Sequence, residues 1–336
     1  MDKHHCKTIA EGDTYLAFPD VAVTPAGKLV CVYFEGDRHS PSWSQVVVKT
    51  SSDLGETWTA PCILAKAALR DDGFCWNCPR ISALPDGRIV IICDYEDHSK
   101  ERAIWAWWSE DGAASWSAPR KLLSRGLVPD RVVALSSGRL LLAVPCEEQG
   151  TILFSSSNDG ASWDEWAQIR PTVDPKSAES SLVVLDGLRM VCYTRGGECA
   201  PGPKSISLDG GRRWDDRAMS CFAGHRPCAG MLRSGRVLVT FRLVNVGICA
   251  YIESPESALD PEYKTQRGTM LELETAQHNY FWDYGYTGWV QLPDDRLFCV
   301  YYTKKPSNDF PLPATQPCIR GCWFSEHDFR PAPPQG

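Results

Sequence analysis

Four copies of one short turn recur along this chain: Ser51-Ser-Asp53-Leu-Gly55-Glu-Thr-Trp58, Ser109-Glu-Asp111-Gly-Ala-Ala-Ser-Trp116, Ser157-Asn-Asp159-Gly-Ala-Ser-Trp163 and Ser207-Leu-Asp209-Gly-Gly211-Arg-Arg-Trp214. Their aspartates are 58, 48 and 50 residues apart, and the third copy is one residue shorter than the others. Self-similarity at a fixed period of roughly 50 residues is the signature of a repeat architecture built from equivalent supersecondary units. In each turn the carboxylate is suited to accept backbone N–H groups, the glycine to take a left-handed conformation, and the tryptophan to bury its ring between sheets. The turn therefore reads as a structural fastener.

A second repeat interleaves with the first: a tight turn followed by an apolar strand. The copies are centred on Gly27, Gly87, Gly138, Gly187, Gly235 and Asp295, with spacings of 60, 51, 49, 48 and 60. Gly or Asp at this point supplies the positive φ of a two-residue hairpin, and the flanking residues are β-branched, aliphatic or aromatic. Six units, each strand A, hairpin, strand B, loop, strand C, Asp turn and strand D, predict an all-β, six-bladed propeller of four-stranded antiparallel blades, forming one domain over residues 1–336.

Composition narrows the partners. A net charge of −7 with 23% charged residues argues against a nucleic-acid or anionic-membrane surface. The N-terminus has no apolar segment of the signal-peptide kind, no run is long enough to span a bilayer, and the 15 cysteines are scattered through strands; a reducing cytoplasm is expected. Cys75-Trp-Asn-Cys78 is a lone pair without the further ligands zinc requires, so neither metal nor cofactor is expected.

The start of each strand A and the end of each strand B face one mouth. That mouth gathers Asp20, Glu35, Asp37, Arg38 and His39 from unit one, Asn77, Arg80, Asp94, Glu96, Asp97 and His98 from unit two, and Asp130, Arg131, Glu147 and Glu148 from unit three. Units four to six add Glu179, Arg195, Glu198, His225, Arg226, Arg242, Asp283, Tyr284, Tyr286, Tyr302 and Lys304. The opposite end carries only routine hairpin turns, and this asymmetry marks the mouth as the candidate site.

The Ser-x-Asp-x-Gly-x-x-Trp turns on a six-unit β pattern resemble the Asp-box, or BNR-repeat, propellers of the sialidase superfamily over essentially the whole chain. The resemblance implies an exo-glycosidase that releases a terminal acidic sugar, α-linked sialic acid foremost, from a carbohydrate partner. It implies a nucleophile in Tyr286, with Tyr284 as competitor, activated by Glu179, and a carboxylate held by Arg195, Arg242 and Arg38. Two family features are missing. The Arg-Ile-Pro motif reads Ala17-Phe18-Pro19, leaving Arg80 or Arg131 to replace that arginine, and Ser40-Pro-Ser-Trp-Ser44 lacks the acid/base aspartate. Asp37, Glu35 or Asp20 would then have to serve, Asp37 being the expected proton donor, with Asp20, His39, Asp94 and Asp283 in substrate-binding positions. Two rival readings follow from the gaps: a uronic-type glycosidase using a carboxylate or histidine pair among Asp20, Asp37, His39, Asp94 and His98, and a non-catalytic sugar-binding propeller.

Overall fold

The computed structural model describes residues 5–68, 74–97, 101–146, 149–172, 179–196, 201–222, 224–275, 283–303 and 317–329. His98, Glu147, Glu148, Glu198, Trp282 and Lys304 lie outside them. Six antiparallel sheets follow one another along the chain, with their strands in sequence order in all but the last, as the interleaved repeats require. Blade 1 comprises Tyr15–Val23, Leu29–Gly36, Trp43–Ser51 and Cys62–Ala68. Blades 3 and 5 repeat this plan, opening with Val132–Ala134 and His225–Met231.

Three blades depart from four consecutive strands. In blade 2 the inner strand is split into Phe74–Trp76 and Arg80–Ala83, both pairing with Ile89–Asp97. Blade 4 has three strands, its outer edge reduced to the bridges Ile206↔Asp215 and Pro203↔Met219. Blade 6 takes its outer strand from the far end of the chain: His5–Ala10 pairs with Cys318–Phe324 and closes the ring.

Each of six hydrophobic clusters lies between two neighbouring blades. Phe34 and Val47 of blade 1 meet Phe298 and Trp323 of blade 6, and Val30 and Val46 of blade 1 meet Ile89 and Trp107 of blade 2. Burial of side chains of this size contributes about 1.5–3 kcal/mol each. Packing therefore holds blade to blade, while hydrogen bonds hold strand to strand.

The Asp turns hold themselves. Ser51 Oγ accepts from Gly55 N at 2.9 Å, Asp53 accepts from Thr57 N at 2.9 Å, and Trp58 Nε1 donates to Gly55 O at 3.0 Å. The third turn corrects the sequence reading. Ser156 Oγ receives Gly160 N at 2.9 Å and Asn158 Oδ1 receives Ser162 N at 3.0 Å, so the turn begins at Ser156, has full length, and uses Asn158 rather than Asp159 as its acceptor. An amide oxygen serves as well as a carboxylate oxygen in an Asx turn. Asp159 instead occupies the left-handed position at φ 58°, matching Leu54 at 59°.

The A–B hairpins also differ from expectation. Thr24 N donates to Lys28 O at 2.9 Å and Gly27 N donates to Thr24 O at 2.9 Å, with Gly27 at φ 79°. This is a three-residue loop whose last residue alone is left-handed, not a two-residue turn. Gly87, Gly138, Gly235 and Asp295 take the same conformation.

Candidate functional site

The inner strands share one irregularity that builds the mouth. Their registers slip between Ala17 and Asp20, between His225 and Cys228, and between Gly285 and Gly288, each slip being a β-bulge. At these bulges Phe18, Arg226 and Tyr286 have φ of 53°, 51° and 38°. A positive φ at such residues costs on the order of 1–3 kcal/mol and persists only where surrounding packing imposes it. The bulge re-aims one side chain per strand toward the axis. Phe18, Cys78, Val128 and Tyr286 accordingly line a cavity of ≈ 470 Å³, with Arg38, His39 and Trp76 among the residues around it.

Tyr286 joins that cavity to a second group. Its hydroxyl donates to Glu179 Oε1, which also accepts from Arg195 Nη1 at 3.0 Å. Glu179 Oε2 is buried and accepts no hydrogen bond among the described residues. Burial, followed by the neighbouring Glu179 charge, pushes the Tyr286 phenol well above its ordinary pKa, so it rests protonated. The Arg226 guanidinium lies 5.4 Å from the Tyr286 ring centroid and is fixed by Val128 O at 3.0 Å and Pro129 O at 2.7 Å. It opposes the rise in the phenol pKa and would stabilise phenolate character as the proton leaves.

Arg195 and Arg242 converge on one atom. Arg195 Nη2 is 3.1 Å and Arg242 Nη2 2.6 Å from His225 Nδ1. Burial, then the Arg195 and Arg242 charges, depress the His225 pKa to about 4, so the imidazole is neutral and accepts from both guanidiniums. Arg242 also donates to Tyr284 O at 2.9 Å. A Cβ at Gly285, which has φ 107°, would lie 2.7 Å from Arg242 Cβ; glycine there admits the arginine.

Across the cavity, Asp283 accepts from Tyr302 Oη at 2.6 Å and from Tyr15 Oη, and its Oδ1 is 3.1 Å from His39 Nδ1. Burial raises the Asp283 pKa, but the bonds from His39, Tyr15 and Tyr302 outweigh it and hold it low. The Asp283 hydrogen bond in turn raises His39.

The remaining expected site residues are elsewhere. Asp20 is wholly buried; its carboxylate is held by Arg131 Nε at 3.0 Å and by Ile81 N at 3.0 Å, with Arg80 Nη1 at 3.8 Å. Arg80 is 2% exposed, and Arg131 borders a separate cavity at the other end of the channel, beside Val132 and Trp289. These three tie blades 1, 2 and 3 together and do not replace the missing arginine. Asp94 is likewise sealed, accepting from Cys78 N at 2.8 Å and Val128 N at 3.1 Å. Asp37 receives Ser42 N at 2.8 Å and Ser42 Oγ at 2.7 Å, so the expected proton donor is spent on its own loop. Arg38 stays at the rim, 68% exposed, donating to Ser40 O. Trp76 borders the cavity but is packed edge-on against Trp105 and Trp107.

Sequence reasoning assigned no role to His225, Arg226 or Tyr15. A positional signal existed: Phe18, Arg226 and Tyr286 each lie nine residues before their hairpin's left-handed residue, Gly27, Gly235 or Asp295.

A family model described as the BNR repeat-like domain matches residues 27–245. No curated protein matches the chain by sequence. Among solved structures, a Dyadobacter fermentans protein of unknown function is similar at TM-score 0.79 and 20% identity, covering 96% of this chain and 98% of its own. The intramolecular trans-sialidase of Ruminococcus gnavus is similar at TM-score 0.74 and 12% identity, covering 98% and 99%. The NanB sialidase of Streptococcus pneumoniae is similar at TM-score 0.72 and 13% identity, covering 96% of this chain and 71% of its own.

Proposed function

The chain belongs to the BNR repeat-like family and shares its fold with sialidases, and from that premise we propose that it is a glycoside hydrolase releasing a terminal acidic sugar, α-linked sialic acid foremost, from glycoconjugates or oligosaccharides. One observation carries the reading: two guanidiniums converge on a single uncharged nitrogen, and one of them also binds the carboxylate partner of a half-buried tyrosine.

The chemistry follows from those groups. Arginine pairs suit a planar carboxylate because each offers paired donors and stays charged. A substrate carboxylate taking over the donors now given to His225 Nδ1 would place the adjoining anomeric carbon near Tyr286. A neutral phenol approaches an anionic sugar without the repulsion a carboxylate nucleophile would meet, and sialidases use tyrosine in this way. Glu179 accepts the phenol proton as the oxygen attacks, and Arg226 beneath the ring stabilises the charge that develops. The free thiols of all 14 described cysteines accord with the proposed cytoplasmic setting.

The test is hydrolysis of 4-methylumbelliferyl α-sialoside beside a panel of aryl uronides and neutral aryl glycosides. Sialoside turnover that disappears in Tyr286→Phe is expected. Full activity in that variant would remove Tyr286 from the mechanism. Turnover of uronides alone would transfer the reading to another acidic sugar, and tight sialoside binding without turnover would leave a sugar-binding propeller.

A further inference from the structure

The proposed reaction needs a group that gives a proton to the departing oxygen and later takes one from water. The carboxylates expected to do this are engaged elsewhere: Asp37 accepts from Ser42, Glu35 accepts from Thr14 Oγ1 at 2.7 Å and Gln45 Nε2 at 2.8 Å, and Asp20 is sealed in the core. We propose that His39, oriented by Asp283 and Tyr15, is that acid and base. The assignment rests on the glycosidase reading above.

His39 lines the same cavity as Tyr286, and its side chain is 56% exposed. Its ring stands 5.3 Å from Phe18, whose ring is 4.9 Å from Tyr286, so the two polar groups flank one apolar wall. Nδ1 is fixed 3.1 Å from both Asp283 Oδ1 and Tyr15 Oη, while Nε2 has no hydrogen-bond partner among the described residues. A carboxylate on one ring nitrogen sets the tautomer and leaves the other to exchange protons. Asp283 is itself secured by Tyr302 and Tyr15. The hydrogen bond that His39 donates to Asp283 favours the imidazolium most; burial opposes it, Glu179 acts at longer range with Asp283, and Arg242 acts against them.

The step balances. Tyr286 oxygen bonds to the anomeric carbon as the bond to the leaving oxygen breaks; Glu179 takes the phenol proton, and the His39 imidazolium gives its Nε2 proton to the leaving oxygen. Neutral His39 then takes a proton from water as the water oxygen attacks the same carbon. The carbon–Tyr286 bond breaks and the phenolate recovers its proton from Glu179, which restores every group.

An acid catalyst matters most for a poor leaving group, and this separates His39 from a structural residue. With the full chain, His39→Gln is expected to lose about 10²–10⁴-fold in kcat on 3′-sialyllactose and less than about tenfold on 4-methylumbelliferyl α-sialoside. Azide, a nucleophile needing no base, should restore part of the aryl turnover. In Asp283→Asn the alkaline limb of the kcat profile should move to lower pH, because the imidazolium loses its anionic partner; this variant also carries the test if His39→Gln does not fold. Glu96 lines the same cavity, where it accepts from Arg102 Nε at 3.0 Å. Equal losses on both substrates, an unmoved alkaline limb, or the leaving-group pattern appearing in Glu96→Gln instead would overturn the assignment alone. Failure of the unmodified chain to turn over any member of the glycoside panel would overturn the functional reading and this assignment with it.

Discussion

Two arginine pairs occupy this propeller, and they differ in what they hold. Arg80 and Arg131 close on Asp20, a buried carboxylate that also accepts two backbone N–H groups. Arg195 and Arg242 close on His225, a neutral imidazole. In the first pair a resident anion answers much of the positive charge. In the second the central acceptor carries no charge, and Arg195, 35% exposed, also donates to Glu179 at 3.0 Å. Similar convergence thus makes a rivet in one place and, under the proposed function, a receptor in the other; the charge of the central acceptor separates them.

The largest way to break this contrast is at the rivet. Asp20→Asn leaves the buried Arg80 and the half-buried Arg131 without their anion and should cost about 3–5 kcal/mol in urea unfolding. A loss under about 1 kcal/mol would mean that the backbone bonds alone hold the three blades. Next comes the receptor: Arg195→Met or Arg242→Met should raise KM for an acidic glycoside roughly tenfold to a hundredfold, the scale of one charged hydrogen bond, and change unfolding far less than Asp20→Asn does. If unfolding responds equally in both pairs, the distinction collapses.

A sharper test converts one cluster into the other. His225→Asp puts an anion between Arg195 and Arg242; it should raise the melting temperature and weaken binding of acidic ligands, with neutral glycosides unaffected. Unchanged acidic-ligand affinity would show that the guanidiniums are not the anion site.

The smallest effect is read by NMR titration of the two pocket histidines. His225 should titrate near 4 and His39 above 6.5. Their stability contributions have opposite signs. The unfolded chain takes up a proton at His225 first, so that contribution is full above pH 6.5 and is lost as pH falls toward 4. The His39 contribution is full below 6.5 and is lost as pH rises through its elevated folded value. Coincident titration of the pair would contradict their different surroundings.

The blades were legible because hairpin and Asp turns impose local chemistry at fixed intervals, and local chemistry is what a sequence records. Glu179, Arg195, Arg242 and Tyr286 were legible as well, since each lies at a definite strand end. Asp20, Arg80, Arg131 and Asp94 sit at comparable strand positions and were expected at the mouth. Their burial depends on which neighbouring blade presents an N–H group or a guanidinium, and strand order along the chain does not encode that. The bulges escaped detection for a related reason: at Phe18, Arg226 and Tyr286 the twist is imposed by packing across the axis, against the residues' own preferences. Asp159 was mistaken for the turn acceptor because Asn158, one residue earlier, performs the same role with an amide oxygen.

The seam in blade 6 has a consequence for how the molecule is made. Its last sheet joins His5–Ala10 to Cys318–Phe324 through a backbone ladder, and the second of these strands follows blades 1 to 5 in the chain. Those five blades are contiguous and are free to form as translation proceeds, but His5–Ala10 must wait, unpaired, for a partner that emerges after all of them. A nascent chain is therefore an open arc with its first strand unpaired, and a stalled or truncated product would keep that strand available to others. Ring closure thus waits on the sixth blade, and it removes that unpaired strand from reach.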